Sequence, residues 1–145
     1  MIVDPDPAAI RRLKAALPKK RHSIVVAGTA HTVAQAREQA VAQQPDVVFV
    51  DVAIADGEGM SLARHLASER AVVIVTDRPD YAIAAFQIGA VDYLLKPVDA
   101  APLAVALQRA RKRVDLERRT AAGGPGPRLA DEQLERIARL VADQI

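Results

Sequence analysis

The chain has 145 residues, half of them hydrophobic, with 20 basic and 18 acidic side chains, a formal net charge of +2 and no cysteine. A chain of this length buries about 68–70% of its unfolded surface in one core without cross-links, and disulfides and thiol chemistry are excluded. No apolar stretch approaches the ~20 residues of a membrane span and no signal peptide opens the chain. We therefore expect a soluble, cytoplasmic protein, whose balanced charge does not by itself indicate nucleic-acid binding.

The first third of the chain alternates short apolar runs with helical patterns. Residues 1–4 form an apolar run that ends in the carboxylate of Asp4. Asp6 and Pro7 are a good N-cap and first-turn proline for a helix to about Leu17. Residues 24–28 predict a second strand. A capping box, Thr32 with Gln35, then opens a helix, and four of its residues are expected to face the core: Val33, Ala36, Ala40 and Val41.

Three further apolar runs end in reactive groups. The run 46–51 ends at Asp51, the run 71–76 at Thr76, and the run 90–97 at Lys96 followed by Pro97. Apolar runs without polar alternation are typical of parallel strands buried on both faces. Ligands of open parallel sheets bind at the carboxyl ends of the strands. The pattern therefore predicts that Asp4, Asp51, Thr76 and Lys96 meet at one edge of a parallel sheet.

The last third of the chain changes character at about Thr120. A helix is predicted from Pro79 to Gly89 and another from Asp99, whose basic residues we interpret as a solvated face; they are Arg109, Arg111, Lys112, Arg113, Arg118 and Arg119. We divide the chain into a domain of residues 1–119, a Gly/Pro-rich linker of residues 120–128 and an amphipathic helix within residues 129–145. That helix either docks on the domain, pairs with a second copy, or begins an absent output domain.

The four strand-tip residues suit phosphoryl transfer. The reaction needs an oxygen nucleophile, a cation and hydrogen-bond donors around the developing charge. Asp51 is the candidate nucleophile, Asp4 a candidate magnesium ligand, Lys96 a point charge and Thr76 a hydroxyl donor. Taken singly, each residue has a structural interpretation that is better supported, such as a helix cap, a strand residue or a solvated lysine. Together, the four favour a site.

This set, in this order, resembles the receiver domain of two-component response regulators. The stretch 81–102, YAIAAFQIGAVDYLLKPVDAAP, looks most like receivers of the LytTR type (LytR/AlgR-like). The resemblance implies a flavodoxin-like, doubly wound α/β fold with a five-stranded parallel sheet in the order 2-1-3-4-5, plus the extra C-terminal helix. It also implies a cis peptide between Lys96 and Pro97. The first strand should be short, because only residues 1–3 precede Asp4.

The resemblance also implies roles for individual residues. Asp51 falls at the phosphoacceptor position, Thr76 and Lys96 at the conserved hydroxyl and lysine, and Tyr93 at the switch aromatic. The implied Mg²⁺ ligands are Asp4, Asp51 and the backbone carbonyl of Ala53, with Asp6 as a further candidate. The implied partners are a histidine kinase and a second copy, bound through the fourth and fifth helices and the fifth strand. DNA is expected only through an output domain outside this chain, and no membrane is expected.

Three positions depart from the family pattern. Pro5 replaces the second acid after the first strand, Asp77 replaces a small residue after the threonine, and Ala55 replaces a proline. We therefore predict weak Mg²⁺ binding and leave two functions open. The first is a phosphorylatable receiver of a phosphorelay that controls dimerisation and transcriptional output; its chemistry is at most self-phosphorylation and autodephosphorylation. The alternative is a pseudo-receiver that acts as a phosphorylation-independent interaction module.

Overall fold

The structure of the chain is a computed structural model that describes residues 1–18, 24–54, 58–121 and 131–142. In these ranges the strands are β1 (Ile2–Val3), β2 (Thr29–Ala30), β3 (Val47–Val50), β4 (Ala71–Thr76) and β5 (Asp92–Leu95). The helices are α1 (Pro7–Ala16), α2 (Val33–Gln43), α3 (Gly59–Ala67), α4 (Ala82–Gln87), α5 (Ala100–Ala121) and α6 (Asp131–Ala142), with a 3₁₀ turn at Pro79–Tyr81 before α4.

The five strands form one sheet in the order β2-β1-β3-β4-β5. Every neighbouring pair is parallel, with Val3 opposite Val50 and Val50 opposite Ile74. The predicted fold class and strand order are therefore confirmed. The short first strand and the cis Lys96–Pro97 peptide are confirmed as well.

The second strand lies later in the chain than predicted. We expected residues 24–28, but β2 contains only Thr29 and Ala30. The reason is its partner, because β1 has only two residues and pairs with those two alone. Val25 is 79% exposed, so the apolar run before β2 does not form an inner strand.

The sheet separates two hydrophobic cores. Side chains of successive strand residues point to opposite faces, so Val48 and Val50 of β3 face one core while Phe49 faces the other. The first core lies under α2, α3 and α4 and includes Tyr93. The second lies under α1 and α5 and includes Leu103. Both faces of the central strands are covered, which explains why their sequences lack polar alternation.

The predicted caps of α1 and α2 are confirmed, with one error in the core face of α2, while the helix predicted from Pro79 begins as a 3₁₀ turn and is α-helical only over Ala82–Gln87. The Asp6 carboxylate accepts from Ala8 N, and the Thr32 hydroxyl accepts from Gln35 N. Ala36 and Ala40 are buried, but Val41 is 74% exposed. Each helical residue turns by about 100°, so the position after Ala40 has already rotated away from the sheet.

Helix α5 is the longest helix among the described residues and runs to Ala121. Its spaced apolar residues pack against the second core, with Leu103 and Ala110 buried and Leu107 and Val114 partly buried. They therefore cover the domain's own edge.

Among the described residues, no helix combines the length and the apolar composition that a membrane span requires. The predicted linker falls almost wholly outside the described residues.

Candidate functional site

The carboxyl ends of the strands bring together two aspartates and one lysine. Asp4 follows β1, Asp51 follows β3 and Lys96 follows β5. The Lys96 ammonium lies 2.7 Å from Asp4 Oδ2 and 2.6 Å from Asp51 Oδ2. Both aspartate side chains are 6% exposed and that of Lys96 is 25% exposed. We call these three residues the acidic cluster; it contains two carboxylates and one ammonium.

Each carboxylate is oriented by the turn that follows its strand. Asp4 Oδ1 accepts from Asp6 N at 2.9 Å, and Asp51 Oδ1 accepts from Ala53 N at 2.9 Å. The turn after Asp51 packs against the start of α3, where the Val52 carbonyl oxygen lies next to Gly59. A Cβ at position 59 would collide with this oxygen, so only glycine permits the approach. One oxygen of each carboxylate is therefore fixed by backbone and the other faces the lysine.

The charge of Lys96 is stabilised within this cluster. Partial burial disfavours the ammonium, but its hydrogen bonds to Asp4 and Asp51 and the negative charges of those carboxylates outweigh that cost, so the pKa of Lys96 is raised. The lysine therefore stays protonated at neutral pH and bridges the two carboxylates.

Thr76 and Tyr93 are linked through the backbone of one residue. Thr76 is fully buried at the end of β4, and its hydroxyl accepts from Arg78 N at 3.2 Å. The Tyr93 hydroxyl donates to the Arg78 carbonyl oxygen, and the ring is only 2% exposed. Desolvation raises the pKa of Tyr93 to about 12. Both predicted switch residues therefore hydrogen-bond to the backbone of Arg78, the residue that immediately precedes the 3₁₀ turn.

The remaining predicted residues differ in their placement. Asp6 and Asp77 line the same cavity of about 770 Å³ as the acidic cluster. Asp6 uses its carboxylate to cap α1 through Ala8 N, and Pro5 is exposed with no side-chain oxygen to offer. Ala55 lies outside the described residues.

The donor set suits magnesium only in part. Two carboxylates and a backbone carbonyl at Ala53 match the oxygen preference of Mg²⁺, which keeps several waters of its own. Within the described ranges, no group of three or more His, Cys, Asp or Glu residues is placed to hold a metal. Lys96 also occupies the space between the two carboxylates, so a bound cation has to compete with its ammonium.

Sequence reasoning missed a second buried ionic group, at the other end of β5. Asp92, whose side chain is 1% exposed, lies with Oδ2 3.0 Å from an Arg109 guanidinium nitrogen and with Oδ1 2.6 Å from Arg136 Nε. We call these three residues the arginine clamp. The interpretation of Arg109 as part of a solvated face is therefore wrong. The available signal was the lone Asp92 inside an apolar run, since a buried carboxylate needs partners.

A family comparison agrees with this fold. Residues 1–108 match the model of the response regulator receiver domain, and the chain belongs to that family, the receiver modules of two-component systems. The LytTR-type resemblance is confirmed by relatives. The chain is 32% identical over 99% of its length to the sensory transduction protein LytT of Enterococcus faecalis, and 34% identical over 88% to the positive alginate biosynthesis regulatory protein of Pseudomonas aeruginosa.

Solved structures agree on the fold. The receiver domain of AraT, a response regulator from Geobacillus stearothermophilus, aligns with a TM-score of 0.70 at 24% identity, covering 81% of this chain and 95% of that one. The response regulatory domain of mrkE from Klebsiella pneumoniae aligns with the same score at 21% identity, covering 79% and 95%. The chain spans 61% of LytT and 55% of the alginate regulator.

Proposed function

We propose that the chain is a phosphorylatable receiver that accepts a phosphoryl group on Asp51 from the phosphohistidine of a histidine kinase. The observation that carries the proposal is the acidic cluster. A nearly buried aspartate has one oxygen held by Ala53 N and the other within 2.6 Å of Lys96. Family membership supports the reaction class, and the geometry supports the choice of Asp51.

In the proposed reaction, an Asp51 carboxylate oxygen attacks the phosphorus atom. The O–P bond forms as the N–P bond to the donor imidazole breaks, and the imidazole leaves with the bonding electron pair. Little covalent work falls to the protein, so catalysis depends on positioning and on charge. Lys96 shifts from the carboxylate towards the equatorial phosphoryl oxygens, and the Thr76 hydroxyl donates to one of them.

Magnesium, when bound, would neutralise phosphoryl charge from a position held by Asp4, Asp51 and the Ala53 carbonyl. Asp6 is a weaker candidate because its carboxylate already caps α1. Pro5 and the competing ammonium of Lys96 both support weak Mg²⁺ binding.

Asp51→Asn tests the proposal directly. Intact protein is incubated with acetyl phosphate and Mg²⁺, and the mass increase of one phosphoryl group is followed by mass spectrometry. We expect labelling of the wild type and none of Asp51→Asn. Asp77→Asn is the matched control, since Asp77 is an exposed carboxylate on the same cavity. Loss of the Asp77 carboxylate should leave the rate of labelling unchanged or increase it. Labelling of Asp51→Asn at the wild-type rate would move the acceptor elsewhere.

A specific observation favours the pseudo-receiver alternative. The cavity of the acidic cluster is lined by four carboxylates, those of Asp4, Asp6, Asp51 and Asp77, against the cations Lys96 and Arg12. This excess of negative charge opposes an incoming phosphoryl group. If no phosphodonor labels the wild type at any Mg²⁺ concentration, the non-catalytic interaction module becomes the better description.

We further propose a homodimer through α4, β5 and α5. Each of these elements has an exposed hydrophobic side chain: Ile83 is 54% exposed, Leu95 38% and Val105 38%. Light scattering that finds only monomer at high concentration, with and without a phosphoryl mimic, would count against the dimer.

We also propose that residues 1–119 belong to the receiver, that the linker predicted for residues 120–128 begins only after α5 ends at Ala121, and that any DNA-binding output lies outside this chain. The greater length of the relatives supports an output outside this chain.

A further inference from the structure

Helix α6 is docked on the domain. It contacts α4 and the 3₁₀ turn at Pro79–Tyr81. Leu140 and Val141 pack against the core that contains Ala82 and Tyr93. The structure therefore shows the predicted amphipathic helix docked on the domain. Ile145, an apolar residue at the end of the chain, lies outside the described residues.

One ion pair joins α6 to the sheet. Arg136 Nε lies 2.6 Å from Asp92 Oδ1 and is buried, but its N–H forms no well-aligned hydrogen bond. The attraction is therefore mainly Coulombic, and it is strong because the carboxylate is almost fully shielded from water. Arg109 of α5 binds the other oxygen, and the Tyr93 backbone N–H donates to Oδ1 at 2.8 Å, so the carboxylate keeps two partners when α6 leaves.

The docking surface of α6 is connected to the acidic cluster by named contacts. The Thr76 hydroxyl accepts from Arg78 N, and the Tyr93 hydroxyl donates to Arg78 O. The next three residues are the 3₁₀ turn that α6 contacts. Tyr93 also directly follows Asp92 in β5, and the Asp92 carboxylate binds Arg136. A movement of Thr76 towards a phosphoryl group on Asp51 would therefore shift the surface on which α6 rests.

We propose that α6 is a regulatory latch. Docked, α6 covers α4 and is joined to the edge strand β5 by the Arg136–Asp92 pair. It is released when Thr76 and Tyr93 move the 3₁₀ turn. The phosphoryl-dependent part rests on the proposed function, whereas the docking contacts do not. The element has two states, docked and released, and the site biases the equilibrium between them through the Arg78 backbone.

The test is hydrogen–deuterium exchange of the α6 amides in the full chain. Arg136→Glu places two carboxylates together, and we expect α6 to exchange at least about tenfold faster, since each ~1.4 kcal/mol lost is tenfold in the docking equilibrium. Arg139→Glu is the matched control, because that side chain is 82% exposed on the same helix. It should exchange like the wild type. Tyr93→Phe, which loses only the bond to Arg78, should also speed exchange in α6.

A second arm adds beryllium fluoride, a stable phosphoryl mimic, with Mg²⁺. Faster α6 exchange in the wild type, once binding is verified by ¹⁹F NMR, supports the latch. Verified binding with unchanged α6 exchange overturns the latch and leaves the phosphoryl function standing. Absence of binding, together with α6 release in Arg136→Glu and Tyr93→Phe, removes the phosphoryl function and supports a latch that works without it. Arg136→Glu behaving like Arg139→Glu overturns the latch in every case.

Discussion

The two buried ionic clusters lie at opposite ends of β5 and have opposite charge ratios. At the carboxyl end, two carboxylates share the single ammonium of Lys96. At the amino end, the one carboxylate of Asp92 is shared by two guanidinium groups. The acidic cluster has unsatisfied negative charge beside a cavity, whereas the arginine clamp has its only acid almost completely enclosed.

The difference separates the proposed phosphoryl-transfer site from a structural contact. A cluster with surplus carboxylate charge attracts a cation and offers an oxygen nucleophile. Asp92 is held by two guanidinium groups and the Tyr93 backbone N–H, and its side chain is 1% exposed, so it is shielded from solvent and its role is to hold elements together. Strand β5 thus has the acidic cluster at its carboxyl end and the arginine clamp, a structural contact, at its amino end.

The largest expected effect is in the arginine clamp. Asp92→Ala leaves two partly buried guanidinium groups without their acid, and removal of one partner of a buried pair typically costs about 3–5 kcal/mol. We expect a loss of unfolding free energy in that range in urea denaturation. Asp46→Ala is the control, because the Asp46–Arg118 pair is mostly exposed and such pairs contribute about 0–1 kcal/mol. Equal losses in the two variants would mean that solvent already satisfies the clamp's arginines.

Lys96→Met tests the acidic cluster in the opposite sense, by removing its one cation. Loss of one preorganised charge-stabilising group commonly slows a reaction by about 10²–10³-fold, so acetyl phosphate should label Asp51 that much more slowly. Lys112→Met removes an exposed lysine from α5, and acetyl phosphate should label this variant at the wild-type rate. Similar slowing of labelling in both variants would remove Lys96 from the site.

The Lys96 ion pairs should also make stability depend on pH. Because the pKa of Lys96 is raised, these pairs should contribute to stability fully below about pH 10.4 and weaken only as the pH rises through the folded pKa.

Pro5→Asp would sharpen the charge contrast by adding a third acid. Loss of a ligand's supporting group typically costs about 10–100-fold in metal affinity, so restoring a direct ligand should tighten Mg²⁺ binding by at least that, measured by calorimetry. Pro5→Ala separates the carboxylate from the loss of the ring and should not tighten binding. If the wild type already binds as tightly as Pro5→Asp, another acid supplies the ligand, and Asp6→Ala and Asp77→Ala identify it.

The smallest effect concerns the tyrosine between the two clusters. In Tyr81→Phe, only Tyr93 contributes the tyrosinate absorbance, and it should titrate at about pH 12, compared with about 10 in urea. The folded state holds this proton more tightly, so stability should fall as the pH rises from about 10 to about 12. Titration near pH 10 in the folded protein would show that water reaches the Tyr93 hydroxyl.

Local sequence was sufficient for a parallel sheet and for the three residues of the acidic cluster, whereas the strand order was an implication of the family resemblance. Apolar runs that end in Asp4, Asp51, Thr76 and Lys96 fix which residues lie at strand tips, because parallel strands end at a common edge. The same reasoning failed for the second strand, whose position depends on the two-residue β1, and for Val41, whose exposure depends on how α2 is rotated against the sheet.

The sequence by itself determined the order of the elements, their caps and the reactive groups at the strand ends, because each of these is set by neighbouring residues. Tertiary structure alone decided the arginine clamp and the docking of α6. Asp92, Arg109 and Arg136 come from β5, α5 and α6, and no local spacing relates a strand aspartate to an arginine 44 residues later across an undescribed linker. Such a contact forms only when packing brings an isolated buried charge and its distant partner into the same dry space, where the need to neutralise it is greatest.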